Sequence, residues 1–249
     1  MPGKVLLVGD DAGVSSSIDD ALIELSALGC LDQCHAIVNY PSSPLLVCRL
    51  SREIHSLGLH VNLSSGKPLS EAIKIKSLIN GGEFLNPANW VSDDNDPVNA
   101  IKLLKEVAAE WDVREISLEV EAQMKHFYRF TKKTPVEISV HHDLDELPNV
   151  RKAIRLVTDL PTRVEQIERG MLSSYEYEFV LDEMAEDAWV KKIEARIKAH
   201  RDQRGVHLIV CHPAYSAKGY EAFSVYRQGR VTEYQALKNI AARGEMIHE

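Results

Sequence analysis

Val5-Leu6-Leu7-Val8-Gly9-Asp10-Asp11-Ala12-Gly13 is a continuous apolar run that breaks on two adjacent carboxylates and a glycine. Four successive apolar residues without alternation suit a strand covered on both faces by helices, as in a parallel sheet. In parallel β/α folds the carboxyl ends of the strands converge on one face, where sites are built. Asp10 and Asp11 fall at such an end. Taken alone they are equally a turn and a helix cap, since Asp favours both.

Outward from this stretch the pattern repeats. Ile18–Leu28 has helical spacing, Ala36-Ile37-Val38 is strand-like, Pro44–Leu57 is helical and Leu59–Leu63 is strand-like. A long amphipathic stretch from Pro97 to Phe130 reads as helix, followed by a strand over Val136–Val140. Tyr175–Leu181 alternates loosely, Met184–His200 is helical, Val206–Val210 is an apolar strand, and Thr232–Arg243 closes as a helix. This βαβ rhythm predicts one α/β domain over residues 1–249, a parallel barrel or doubly wound sheet. Residues 64–96 turn to Gly, Asn, Ser and Asp and read as an irregular surface insertion. Its place after a His-bearing strand makes it a candidate substrate-contacting loop, with a merely solvated loop as the equal alternative.

The 249 residues are 45% hydrophobic and 27% charged, an ordinary globular balance. The net charge of -8, with no Lys/Arg-rich block, offers nothing to a phosphate backbone, so no nucleic-acid partner is expected. No apolar run approaches the roughly 20 residues that span a bilayer. With no signal peptide or anchor read at the start, the expectation is a cytoplasmic protein with no membrane partner. Cys30, Cys34, Cys48 and Cys211 show no disulfide-framework spacing and read as free thiols; Cys30 and Cys34 lack a second pair to complete a zinc site. A homodimer stays open, because barrel subunit contacts use helix faces that read like any amphipathic helix.

Four strands end in residues able to bind metal or move a proton: Asp10-Asp11, His60, His141-His142 and His212. Singly each has a plainer reading; His60, for instance, reads alone as a core histidine. Together, one carboxylate and two imidazoles suit zinc or another divalent ion, and three protein ligands leave a position open for water or substrate. The remaining carboxylate of the Asp pair can deprotonate water, and a His on another strand can protonate a leaving group. That combination points to hydrolysis of an amide or ester.

At these residues the sequence resembles the YdjC-type carbohydrate deacetylases. Gly9-Asp10-Asp11-Ala12-Gly13 stands where the family has Asn-Ala-Asp-Asp-Phe-Gly, and Gly58-Leu59-His60-Val61-Asn62-Leu63 matches its Gly-Leu-His-Leu-Asn-Leu. Gly66-Lys67-Pro68-Leu69 follows as the pattern requires. Cys211-His212-Pro213-Ala214-Tyr215 is similar to its His-Pro-Gly-Tyr segment, and Arg230-Val231-Thr232-Glu233 to its Arg-Leu-Thr-Glu. The resemblance implies a distorted TIM-like β/α barrel that removes acetyl groups from N-acetylated sugars or chitooligosaccharides. It implies one divalent ion, zinc or magnesium, on Asp11, His60 and His141, with Asp10 as general base and His212 as acid. The departure lies at Ser139-Val140-His141-His142-Asp143-Leu144-Asp145-Glu146-Leu147-Pro148, where the family reads Asp-Ser-His-His-His-Val-His-Leu-Leu-Pro. Asp143 and Asp145 replace two histidines there, and Ala12 replaces the aromatic after the Asp pair.

Trp90, Phe84 and Tyr215 are candidate sugar-stacking residues, with packing against the barrel as the plainer role. Arg230 is expected either to orient a substrate or to pair with a surface acid. Two alternative functions follow from the departure. One is a weakened relative that binds a sugar without turnover; the other is a barrel phosphoesterase in which Asp143 and Asp145 recruit a second metal.

Overall fold

In the computed structural model, residues 3–91, 96–177, 185–221, 223–224 and 226–243 are described. The chain runs β1 (Lys4–Ala12), α1 (Ser16–Ala27), β2 (Gln33–Ala36), α2 (Ser43–Glu53) and β3 (Leu57–Val61). A small hairpin, β4 (Ile79–Asn80) and β5 (Glu83–Phe84), precedes α3 (Pro97–Ala108) and α4 (Val113–Thr131). Then come β6 (Ile138–Val140), α5 (Pro148–Arg155), α6 (Arg163–Glu168), β7 (Ser174–Tyr177), α7 (Glu186–Arg201), β8 (Val206–Cys211) and α8 (Gln228–Ala242).

Six strands form one parallel sheet in the order β6-β3-β2-β1-β8-β7. Read around the sheet, the chain goes β7, β8, β1, β2, β3, β6 without reversing. A doubly wound sheet reverses at a switch point; this order is that of a barrel, here curled and open. Past β6 a further rung is supplied by Thr162, bridged in parallel to Ile138. The helices follow the same circle: α7 packs on α8, α8 on α1, α1 on α2, α2 on α4 and α4 on α5.

The two faces of the sheet differ in chemistry. Val5, Leu7, Cys34, Ala36, Leu59, Val61, Ile138, Ile209 and Cys211 belong to the main apolar core beneath the helices. The alternate positions face inward, since successive strand residues point to opposite sides. Val8, Leu208 and Val210 make a small apolar cluster there with Leu172. Higher in the barrel the inward positions are Asp10, His35, His60 and Ser139, all buried. Burying so much polarity is costly unless each group is partnered, and the partners are what build the site.

Several boundaries differ from the sequence expectation. The long helix is two: Asp112 caps α4 by accepting from the amides of Arg114 and Glu115, which breaks the run after Ala108. Strand β2 begins at Gln33 rather than Ala36, and β3 at Leu57 rather than Leu59. Helices α5 and α6 are too short to show a period. Part of the expected Tyr175–Leu181 strand, residues 178–181, lies outside the described residues. The 64–96 insertion is not merely solvated. Glu119 of α4 accepts from the amides of Leu69 and Ser70, Glu115 accepts from that of Ser77, and Ile75, Leu78 and Phe84 are buried.

Candidate active site

Strict alternation would send one of Asp10 and Asp11 outward, yet both line the same cavity. Between Gly9 and Ala12 strand β1 spends three steps against two on β2, which pair Gly9 with Cys34 and Ala12 with Ala36. Asp11 sits in the left-handed region at φ 66°. For a non-glycine residue this conformation costs free energy and persists only where the surroundings impose it. His142 and Asp143 repeat the device after β6, at φ 60° and 52°, and turn His142 into the cavity beside His141.

Asp11, His60 and His141 converge. Asp11 Oδ1 lies 3.4 Å from His60 Nε2 and 3.3 Å from His141 Nδ1, and one ligand atom from each lies within 4.8 Å of the others. Asp11 Oδ2 accepts from Arg230 at 2.6 Å, but Oδ1 and His141 Nε2 are buried and make no hydrogen bond. An anionic oxygen left without a donor between two imidazoles is a fit for a divalent cation, which those three residues would hold. Burial is the largest single influence and works against the charge on Asp11, but Arg230 and the two imidazoles together hold the carboxyl well below the usual range. Burial lowers His141 and His142 as well, so both offer neutral nitrogens. Phe223 stacks on His141, with ring centroids 4.9 Å apart.

Asp10 is differently held. Both its oxygens accept from Arg163, at 2.7 Å each, in a buried fork-to-fork pair. Burial is the largest single influence and opposes ionisation, but the Arg163 guanidinium, His60 and the hydrogen bonds to the carboxylate together keep Asp10 well below the ordinary range. Asp10, His35 and His60 also form a group with metal-ligand spacing. A second ion there would have to displace Arg163 from both Asp10 oxygens, so this group reads as a hydrogen-bonded cluster. Arg163 begins α6, whose N-cap Thr162 makes a capping box with Glu165. Asp145, buried after β6, accepts from the Val164 amide. Asp145 therefore sits under the turn that carries Arg163, and Asp143 lines the cavity.

The cavity holds about 610 Å³, a size suited to a small ligand. Asp10, Asp11, His60, His141, His212 and Arg230 all face it. Burial pushes the His212 imidazole down to about 4, and Glu233 accepts from the His212 amide at 2.6 Å. Pro87, Ala88 and Val91 bring the end of the 64–96 insertion to the wall. Trp90 is half-buried against the main core, where Phe84 also packs. Tyr215 lies on the outside of the barrel, its ring 4.5 Å from that of Tyr234 and its hydroxyl donating to Glu24. Neither Trp90 nor Tyr215 lines the cavity among the described residues. Arg230 pairs with buried Asp11 rather than with a surface acid. The sequence reading missed Arg163, His35 and Ser139. The alternation of β2 would have marked His35 as inward once its start was placed at Gln33, whereas Arg163 carries no such signal.

Fold and site together define a barrel protein with a carboxylate–imidazole centre at the carboxyl ends of its parallel strands. The chain belongs to the YdjC-like protein family, whose model matches residues 4–245. It is 26% identical to a carbohydrate deacetylase of Geobacillus stearothermophilus, with 99% of this chain and 94% of that one covered. A chitooligosaccharide deacetylase of Escherichia fergusonii is 24% identical over 96% of this chain and 93% of its own length. Among solved structures, one from Enterococcus faecalis V583, provisionally assigned as a cellobiose-phosphate cleavage protein, superposes with a TM-score of 0.68. It is 18% identical, covering 98% of this chain and 96% of its own. That likeness supports the distorted barrel fold.

Proposed function

We propose that the protein is a metal-dependent hydrolase that removes the acetyl group from an N-acetylated amino sugar or chitooligosaccharide. The observation that carries this reading is the donorless Asp11 Oδ1 between His60 and His141, with a second carboxylate, Asp10, on the same cavity. The names of the aligned deacetylases supply the substrate class. Asp11, His60 and His141 would hold a divalent ion, which when bound would supply Lewis acidity for the acetyl carbonyl. Asp10, ionised throughout the working range, takes the proton of the attacking water at a carboxylate oxygen; Arg163 fixes its orientation. His212 enters neutral. Negative charge growing on the acyl oxygen raises its proton affinity, so the proton taken from water by Asp10 passes to His212 and from there to the leaving nitrogen, which returns both side chains to their starting forms. Products are acetate and the free amine.

The phosphoesterase alternative needs a second ion on Asp143 and Asp145. Among the described residues neither joins a group with metal-ligand spacing, and burial raises the pKa of Asp145, which disfavours the charged form an ion needs. Acetate and amine release from N-acetylglucosamine and diacetylchitobiose tests the proposal, comparing protein stripped by chelator with protein reloaded with zinc or magnesium. Equimolar acetate and amine from reloaded protein alone is the expected result. Sugar binding without acetate from every loaded form would overturn it in favour of a binding protein.

A further inference from the structure

Three polar side chains on the inner face of the sheet, His35, Ser139 and His60, make a hydrogen-bonded chain with Arg163 of α6 whose direction follows atom by atom. It starts at Arg163. A guanidinium only donates, and Arg163 Nη2 lies 2.8 Å from His35 Nδ1 and 2.7 Å from Asp10 Oδ1. One N–H of Nη2 points at His35 Nδ1 and would meet a proton there at 2.8 Å, while Asp10 Oδ1, 3.2 Å from the same nitrogen, already accepts from Arg163; this arrangement leaves His35 Nδ1 without a proton. The His35 proton is therefore on Nε2, which faces Gln33 Oε1 at 3.3 Å. Ser139 Oγ, 2.8 Å from the bare His35 Nδ1, then donates its single hydrogen there and shares that one lone pair with Arg163 Nη2. Its lone pairs are left for His60 Nδ1 at 2.7 Å, which can only be N–H. His60 Nε2 is then a bare lone pair facing Asp11 Oδ1.

We propose that Ser139 and His35 are positioning residues: a relay from Arg163 through His35 and Ser139 fixes His60 as the Nδ1–H tautomer, with Nε2 presented as a metal ligand. The other nitrogen of a ligating histidine needs an acceptor to set its tautomer and orientation. Here that acceptor is a neutral hydroxyl, held in its accepting orientation by a buried imidazole. Room for the second imidazole comes from β3, since a Cβ on Gly58 would lie 2.4 Å from His35 Cδ2 and 2.8 Å from its Nε2. His35 thus acts on His60 through Ser139, in an arrangement that sets no two N–H groups against each other.

The inference rests on the metal-binding half of the functional reading and not on the substrate. Zinc affinity, measured by competition with a chromophoric chelator in the absence of sugar, separates the two. Ser139→Ala and His35→Leu are each expected to weaken zinc binding about 10- to 100-fold, the usual cost of losing such a partner. The double variant is expected to lose no more than the worse single one, because one relay is broken either way. Nitrogen NMR of the metal-free protein is expected to report His60 as Nδ1–H in the wild type and as a tautomer mixture in Ser139→Ala. Zinc affinity unchanged in Ser139→Ala, or losses that multiply in the double variant, would overturn the relay. A wild type that binds no zinc would sink the metal reading itself, and the tautomer measurement on metal-free protein then still decides the hydrogen-bond direction.

Discussion

The two carboxylates of Asp10-Asp11 are neighbours in sequence and opposites in role, because different arginines hold them. Arg163 takes both oxygens of Asp10, whereas Arg230 takes one oxygen of Asp11 and leaves the other facing His60 and His141. Removing Arg163 strands a buried charge. Arg163→Leu is expected to cost about 3–5 kcal/mol in urea unfolding, and the added change Asp10→Asn to return most of it; strictly additive losses would show that the pair is not the source. His212 has a sharper test. If it protonates the leaving nitrogen, His212→Gln should slow N-acetyl sugar hydrolysis about 10²- to 10⁴-fold while sparing an aryl acetate, whose leaving group needs no proton. Equal losses on both substrates would remove it from the acid role. Most of these residues are legible in the sequence because they end strands. Arg163 is not: it starts a six-residue helix with no periodicity, and only the fold brings it to Asp10. Trp90 and Tyr215 show the converse, aromatic residues near motif positions that the packing turns elsewhere.

Among the elements, β1 and α1 are coupled through one acid. Asp19 in the first turn of α1 is fully buried and accepts from the Gly13 amide at 2.7 Å, fixing the turn that follows Asp11. Gly13 itself has φ 85°, and a Cβ there would meet the Ile37 carbonyl oxygen at 2.4 Å. Burial raises the Asp19 carboxyl to about 7, above its unfolded value of about 4. The sign follows directly: the contribution is fully present below about pH 4 and is lost as pH rises through 7, a matter of a few kcal/mol. Asp19→Asn keeps an acceptor for Gly13 without the charge. Its Tm should exceed that of the wild type at pH 8, the gap narrowing steadily towards pH 4; a gap independent of pH would contradict the assignment. The succession of strands and helices along the chain follows from the apolar pattern, but β2 starts three residues before its apolar run because its inward side, Gln33 and His35, is polar. A strand facing a polar interior loses the apolar continuity by which a buried strand is recognised.

For the whole molecule, the barrel is apolar under its helices and polar at the upper end of its interior, so an ion there should stabilise the fold by mass action. At a concentration 100 times Kd the gain is about 2.7 kcal/mol, which for a chain of this size is on the order of 5–10 °C in Tm. Chelator should therefore lower Tm by that amount and zinc restore it, whereas a Tm indifferent to both would place no ion in the site. Among the described residues no helix is long and apolar enough to cross a membrane. The barrel expectation could be refined only in three dimensions: the sequence shows an α/β rhythm, while the unreversed circular strand order that separates a barrel from a doubly wound sheet appears only once the pairing is known. The most direct measurement is acetate release from diacetylchitobiose by wild-type and Asp10→Asn protein carrying equal amounts of metal. Release by the wild type and its loss in the variant, with metal content unchanged, is the predicted result. Undiminished release by Asp10→Asn, or none from the fully loaded wild type, would contradict a deacetylase that uses Asp10 as its base.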